Sequence, residues 1–420
     1  MTARRRGPVT PPAGEGVAAL RASLGDFALT AVARLPLYRR LAEAVSLDDE
    51  VSSLLMLAAP GLRHPTLLFA AVHDRILEAH EPHEPHEPHE SHAPHESHAP
   101  HGTQPGSDPV RDPLADWYPS VADNPRGVGR GEDDPWPHFR RIALEDPRVA
   151  TSIATRLTQT NEVGRCATTF PALEMIQAEV QQPLGLVEVG ASAGLNLMVD
   201  TYRYRWSPDR TAPGTPPGNS TRTIEGGGRS PVLVESRWRG PNPPPVTNGS
   251  LIVGHRVGVD VDPVDLTDAA AARWLVACQW PEQTDRLARC RSAVQAVRAD
   301  PPTVTSGDCV EAVERLVSSV PEACHPVVLA TWVLTYLGAD RRRRFMAALD
   351  RAARRRDLSF VIQEEPSTVA DLGLPRRPAE RENRRPTALC RLDWLGGRRH
   401  ANWVRLADQH PHGTWAEWAN

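Results

Sequence analysis

The stretch LVEVGASAGLN, residues 186–196, decides how the rest of the chain is read. Apolar residues flank a single acid, Glu188, and the run closes on Val189. Five small residues follow, Gly190, Ala191, Ser192, Ala193 and Gly194, before apolar character resumes at Leu195. A short apolar run bounded by glycine reads as a buried strand, and a turn of small residues lets a ligand come close to the backbone. The pattern predicts a helix from Leu195 to about Tyr202. Free amides and the positive end of such a helix would suit an anion or a carboxylate.

Outward from this turn, strand-like and helix-like runs alternate toward the C-terminus. VGVDVD, TVTSGD, PVVLATWVL and LSFVIQEE read as strands, and amphipathic stretches separate them. The clearest of these puts Phe345, Met346, Leu349, Ala352 and Ala353 on one face and arginines on the other. Such alternation predicts an α/β domain over roughly 183–420 with a Rossmann-like, mostly parallel sheet. Two runs near Ala388–Leu395 and Ala401–Leu406, joined by Gly396-Gly397, predict a terminal antiparallel pair. Residues 207–250 form a Pro/Gly-rich insertion, with a short strand at Val232–Trp238.

Toward the N-terminus the spacing is helical. Residues 1–15 read as a disordered tail, and 16–180 as a helical domain interrupted by an insert over 80–134. The insert opens with histidine at every third position from His80 to His101, half of the 16 histidines in the chain. With Glu, Pro, Ser and Ala between them it has no apolar face, so disorder or polyproline II is expected. Weak Zn or Ni binding is one reading of the tract, and a repeat expansion in a tolerant loop is the simpler one. Helical pattern resumes at His138–Leu144 and at 148–181, broken by the polar cluster Gln159-Thr-Asn161-Glu162-Val-Gly-Arg165.

Composition narrows the function classes. At 420 residues, 40% apolar and 24% charged, the chain can bury a sizeable core. A formal charge of −4 gives no sign of a surface built for nucleic acid or an anionic membrane. The sequence contains no lysine, so all 48 basic side chains are arginine, a feature that speaks to the source rather than to the chemistry. No apolar run reaches the ~18 residues of a membrane helix, and the basic N-terminus lacks an apolar signal core, which reads as a cytoplasmic chain. The six cysteines are scattered and form no C-x-x-C, so reduced thiols are expected and no metal site.

Two chemistries compete for the turn. As G-x-S-x-G it is the elbow of a serine hydrolase with Ser192 as nucleophile, served by Asp308 or Asp340 and by His400, His410 or His412. As E-x-G-x-x-x-G it resembles the first motif of S-adenosylmethionine-dependent methyltransferases. That resemblance implies that Glu188, Gly190, Ala191, Ser192, Gly194 and Asn196 hold the methionine end of the cofactor. Three features favour the second reading. A buried acid before a hydrolase elbow is costly, no H-G-G-type oxyanion sequence precedes the turn, and later strands end in acids. Asp260 would take ribose hydroxyls and Asp308 the adenine amino group, with Thr331 and Trp332 at the end of the neighbouring strand. Gly194 and Asp260 lie 66 positions apart, against ~20 in a simple dinucleotide unit. The 207–250 insertion is the expected cause.

Across most of the chain, QTNEVGR (159–165), LVEVGASAGLNL (186–197), VGVDVDPVDLTD (257–268), WLVACQWP (274–281) and HGTW (412–415) together resemble the actinobacterial domain-of-unknown-function family 2332. The C-terminal half separately resembles a class I methyltransferase fold. The expectation is an S-adenosylmethionine-binding methyltransferase acting on an unknown small-molecule or macromolecular substrate. A serine hydrolase and a non-catalytic nucleotide-binding scaffold remain the alternatives. Gln159, Asn161, Glu162 and Arg165 are candidate cofactor or substrate contacts, or else polar caps at a helix junction. His410 and His412 read more readily as a surface loop than as bases. Tyr202 and Tyr204 suit a pocket or the core equally, and the Arg341–Arg344 and Arg354–Arg356 runs read as solvated helix faces.

Overall fold

A computed structural model describes residues 16–81, 112–212, 223–247, 250–375, 387–400 and 402–419. The histidine tract beyond Glu81, the N-terminal tail and much of the 207–250 insertion therefore lie outside the described residues. The chain divides into two compact units, 1–158 with 277–284, and 159–276 with 285–420.

The first unit is helical: α1 (Val17–Leu29), α2 (Pro36–Val45), α3 (Asp49–Ser53), α4 (Pro65–Glu78), α5 (Trp136–Glu145) and α6 (Pro147–Thr155). Proline opens α2, α4 and α6, where its missing N–H costs nothing and its fixed φ suits the helix. Helix α4 is buried along most of its length, and its Phe69 packs against Phe27, Tyr38 and Phe139 at 4.8–5.7 Å between ring centres. The segment 277–284 is built into this unit. Trp280 meets Phe27 edge-on, and Glu282 accepts hydrogen bonds from the Leu37 and Tyr38 amides at 2.8 and 3.0 Å. It thus caps a helix whose own Leu35 offers no side-chain cap.

The second unit is an α/β sheet of mixed, largely parallel strands. Its elements are α7 (Cys166–Val180), β1 (Leu184–Val189), β2 (Arg203–Pro208), β3 (Ile224–Gly227), β4 (Leu233–Arg239), β5 (Val253–Asp260), α8 (Ala269–Ala277), α9 (Thr284–Ala299), β6 (Thr303–Ser306), α10 (Cys309–Ser319), β7 (His325–Thr331), α11 (Ala339–Ala353), β8 (Leu358–Glu364), β9 (Thr387–Leu395), β10 (Arg398–Arg399), β11 (Val404–Gln409) and β12 (Trp415–Trp418). Strand order is β3-β2-β4-β12-β11-β9-β8-β7-β1-β5-β6, with β10 pairing β9. The contiguous strands β8, β7, β1, β5 and β6 are mutually parallel. Strands β1, β7 and β8 are buried on both faces, which is why their sequences run apolar without alternation. One face of the sheet, with Val187, Val189, Val257, Val259, Val328, Ala330, Phe360 and Ile362, shares a core with α10 and α11. As the sequence predicts, Phe345, Met346, Leu349, Ala352 and Ala353 of α11 point into it.

Two sequence expectations are corrected, and a third is extended. No α-helix follows the glycine turn. A single 3₁₀ turn, Leu195–Met198, leads into β2. The reason lies in Arg203-Tyr204-Arg205-Trp206, which alternates exposed and buried with period two, the signature of a strand. The boundary between the units falls at Thr158/Gln159 rather than near 180, because α7 docks on the sheet. Trp206 Nε1 donates to the Ala167 carbonyl (2.8 Å), Gln363 Nε2 to Thr169 (2.7 Å), and Arg391 grips Glu179 with both Nη atoms. The 207–250 insertion is also more than a loop. Its β4 pairs parallel with both β2 and β12, which carries the sheet beyond the C-terminal strands. Gly396 and Gly397, both at positive φ, turn β9 back into β10, and β11 lies antiparallel to β9.

Candidate functional site

The chain leaves β1 for β5 and β6 on one side of it and returns to β7 and β8 on the other. Strand order therefore reverses at β1, and in open α/β sheets the crevice outside the carboxyl ends at such a switch point is where ligands bind. The carboxyl ends here carry Glu188 and the glycine turn (β1), Asp260 (β5), Thr331 and Trp332 (β7) and Glu364 (β8).

Glu188 is fully buried. Asn196 Nδ2 donates to its Oε1 at 3.3 Å, and Oε2 has no hydrogen-bond partner among the described residues. Burial pushes its pKa up to about 8; the Asn196 bond opposes this, Asp260 adds to it, and Arg165 lowers it. At neutral pH the carboxyl is mostly protonated, and a cationic group beside it would ionise it.

Four of the five turn amides are already bonded, against the sequence expectation of free amides, and the Ala193 N–H alone has no partner among the described residues. The Gly190 and Ala191 amides donate to the Val259 carbonyl, Ser192 to Asp260 Oδ2 (2.8 Å), Gly194 to the Ala191 carbonyl and Leu195 to Asn161 Oδ1 (3.0 Å). Gly190, Ser192 and Gly194 all have positive φ. A Cβ on Gly190 would stand 2.6 Å from Val333 Cγ2, so the turn is pinned against the segment leaving β7.

Asp260 lies at the crevice with burial raising its pKa, opposed by hydrogen bonds from the Asp262 and Ser192 amides. Each carboxylate oxygen accepts one amide and retains a lone pair for a ligand hydroxyl. Asp308 differs from the adenine contact the sequence led us to expect. It caps α10 through the Val310 amide, and both its oxygens accept from Arg341 Nη2 at 2.7–2.8 Å. Its contacts are those of a structural acid. Beyond the strand ends, Val261 and Tyr336 leave 70% and 76% of their surfaces exposed, an apolar and aromatic rim.

Trp332 holds φ +57°, a left-handed conformation that is costly for an aromatic residue. Its amide bonds the Gln363 carbonyl and its indole N–H is buried without a partner among the described residues. Glu364 Oε1 accepts the Val333 and Leu334 amides at 2.8 and 2.7 Å, while Oε2 is unpartnered. Burial raises its pKa to about 7, against the Leu334 and Val333 amides and Arg165.

The polar cluster 159–165 also belongs here. Gln159 Nε2 donates to the Asp262 carbonyl. The buried Arg165 donates from Nε to the Pro411 carbonyl (3.0 Å) and from Nη1 to the Thr331 carbonyl (3.3 Å), and its guanidinium lies 5.9 Å from the centre of the Trp332 ring. Glu162 accepts from Arg286 at 2.6 Å and from the Gly164 amide at 2.9 Å. Arg289 Nη2 and His412 Nδ1 each stand 3.5 Å away. Burial works against its charge, yet Arg286, His412, Arg289 and the Gly164 amide hold its pKa at about 2. His412 sits in this cluster rather than in the surface loop expected from sequence. The loop comes so close that a Cβ on Gly164 would lie 2.3 Å from the His412 carbonyl. Burial, then Arg286, drives the His412 pKa down to about 3.

Arg286, Arg289 and Glu364 were not singled out in the sequence. The signals were present: two arginines three apart on one face of α9, and a second apolar strand ending in an acid, as β1 does. Tyr202 and Tyr204 are core residues whose hydroxyls bond the Leu195 and Val199 carbonyls. The arginine runs are not purely solvated: Arg342 is buried and bonds the Leu334 carbonyl, and Arg356 bonds the Val320 carbonyl. The hydrolase geometry does not form. Ser192 Oγ has no partner among the described residues, Asp308 is taken by Arg341, Asp340 pairs with Arg343, and no helix supports the elbow. Among the described residues no group of three or more His, Cys, Asp or Glu is placed to hold a metal ion, and no helix is long and apolar enough to cross a membrane.

Fold and site together define an open α/β protein whose strand ends at the sheet's switch point carry buried carboxyl groups and a largely bonded glycine turn. The chain belongs to the bacterial family described as "Uncharacterized protein conserved in bacteria (DUF2332)", whose model matches residues 107–418. No curated protein matches it. A solved structure of the bifunctional kinase-methyltransferase WbdD aligns at 10% identity and a TM-score of 0.22. The alignment covers 52% of this chain and 33% of that one, so the chain spans about a third of that protein's length.

Proposed function

We propose that the crevice binds S-adenosylmethionine and that the protein is a methyltransferase. The observation that carries this reading is Glu188: a fully buried carboxyl at a switch-point strand end, with one oxygen unpartnered. An isolated buried carboxyl is costly, and a ligand ammonium removes that cost. The residues fit the cofactor group by group. Glu188 would hold its ammonium, Arg165 its carboxylate and Asp260 its ribose hydroxyls, with Val261 and Tyr336 available to the base. Because most turn amides are already bonded, the carboxylate would fall mainly to the Arg165 guanidinium.

When bound, the cofactor supplies an already activated methyl group. The protein's part is then positioning and exclusion of water. Asn196 fixes Glu188, the Asp262 and Ser192 amides fix Asp260, and the strained Trp332 backbone holds the indole N–H at the end of β7. Ionisation of Glu188 on binding requires proton release near neutral pH.

Calorimetric titration with S-adenosylhomocysteine in buffers of different ionisation heat tests the reading. Micromolar binding with release of up to one proton, lost in Glu188→Gln, is expected. No binding at millimolar ligand would overturn it.

A further inference from the structure

Resting on the reading above, one feature of the same crevice remains unused: its excess of buried positive charge. Arg165, Arg286 and Arg289 are all nearly buried, and Glu162 beside them is held firmly ionised. Glu364, the next acid in electrostatic range of Arg165, titrates near neutrality. Histidines 410 and 412 lie in the same loop with their rings 5.4 Å apart, and both have pKa values lowered first by burial and then by Arg286. A single arginine would satisfy Glu162. Arg286 bonds Glu162 closely, while Arg289 stands only within ion-pair range of it, and buried charges are retained only where something compensates them.

The donors are also in surplus. Arg289 Nε is buried without an acceptor among the described residues, and its Nη2 reaches Glu162 only at 3.5 Å. His412 Nδ1 is likewise buried and unbonded at 3.5 Å from Glu162 Oε2. Guanidinium nitrogens can only donate, so a missing partner must be an acceptor, and the charge makes it an anion. Arg165 ties this cluster to the crevice: one guanidinium bonds Thr331 at the end of β7 and Pro411 between the two histidines. The cofactor carboxylate would use one positive charge. A second anion is needed to balance the rest.

We infer that Arg289 and His412 form an oxyanion subsite that takes a carboxylate or phosphate group of the methyl acceptor. The substrate class is accordingly an anionic molecule whose charged end lies over α9 while its acceptor atom lies toward Trp332.

The test uses the full chain, with inorganic phosphate and acetate titrated separately against thermal unfolding at ionic strength held constant with chloride. A saturable rise in melting temperature with one of them is expected. Response to acetate assigns a carboxylate substrate, and response to phosphate a phosphorylated one. Arg289→Gln should abolish the rise, and Arg289→Lys, which keeps the charge and loses the fork, should weaken it at least threefold. Should Arg289→Gln fail to fold, the Lys variant decides. S-adenosylhomocysteine affinity should stay within threefold in the folded variants. No saturable effect beyond chloride, or an equal effect in the parent and the Arg289 variants, overturns the subsite. Saturable anion binding in a protein that does not bind S-adenosylhomocysteine would leave the subsite standing and remove the methyltransferase reading. Cofactor binding without any anion effect would do the reverse.

Discussion

Glu188 and Glu162 lie in the same unit, both buried, both glutamate, and their pKa values stand at about 8 and about 2. Burial alone raises both. What separates them is the supply of partners. Glu188 has one amide hydrogen bond from Asn196 and an acidic neighbour in Asp260. Glu162 has Arg286, Arg289, His412 and a backbone amide. A carboxyl whose partners come from the protein is held ionised, and one with an unpartnered oxygen in a buried place is held protonated. The charge of Glu162 is compensated by the protein's own groups, and that of Glu188 is not.

The sharpest break of this contrast is Glu162→Gln. Removing one member of a buried ion cluster strands the arginines, and we expect the second unit to lose about 3–5 kcal/mol in chemical denaturation. A loss below about 1 kcal/mol would mean the arginines are compensated by something else. The pH sign follows. The depressed pKa contributes stability that is present above the ordinary value near 4.5 and lost as pH falls from there toward 2.

Gly190→Val comes next. The new side chain meets Val333 and sits at φ +72°, where a β-branched residue is strained. We expect about 3 kcal/mol of destabilisation in the second unit and no cofactor binding, while the first unit's helices persist by circular dichroism. Normal S-adenosylhomocysteine binding by this variant would show that the turn has no part in the site.

Asp260→Ala should weaken S-adenosylhomocysteine more than tenfold, the ~1.5–3 kcal/mol of a charge-assisted hydrogen bond. Unchanged affinity in a folded variant would move the ribose elsewhere.

Glu188→Gln reverses the sign of the Glu162 effect. A pKa raised from near 4.5 to about 8 makes the native state hold an extra proton across that window, so parent stability falls as pH rises through it. The variant should lose this slope, matching the parent within about 1 kcal/mol at pH 5 and exceeding it at pH 8. An identical pH profile in parent and variant would place the pKa of Glu188 near its ordinary value. Smallest of all is Ser192→Ala. Its hydroxyl has no partner to lose among the described residues, so stability should stay within about 0.5 kcal/mol. Loss of an ester-cleaving activity on this change would revive the hydrolase reading.

Much of the second unit is legible in the sequence. The double-buried strands β1, β7 and β8 announce themselves because burial on both faces demands unbroken apolar runs, and the glycines of 186–196 mark a turn because positive φ excludes most other residues. Acids at strand ends are equally visible, as are the Gly396-Gly397 reversal and the apolar face of α11. What the sequence could not decide was anything resting on partners far apart in the chain. It could not show that the turn amides are spent on Val259, Asp260 and Asn161, nor that Asp308 is claimed by Arg341. The strand at Arg203–Pro208 goes unread in the sequence, which has a helix to about Tyr202, because its alternation is short and its partner β4 comes from an insertion. The cluster of Glu162, Arg286, Arg289 and His412 draws on positions up to 250 residues apart, and ionisation there depends on distances that only the folded chain sets. Local pattern dictates which backbone conformation is cheap; the sum of burial and charge around one carboxyl is a property of tertiary packing, because Coulombic and desolvation energies depend on through-space neighbours and not on sequence separation.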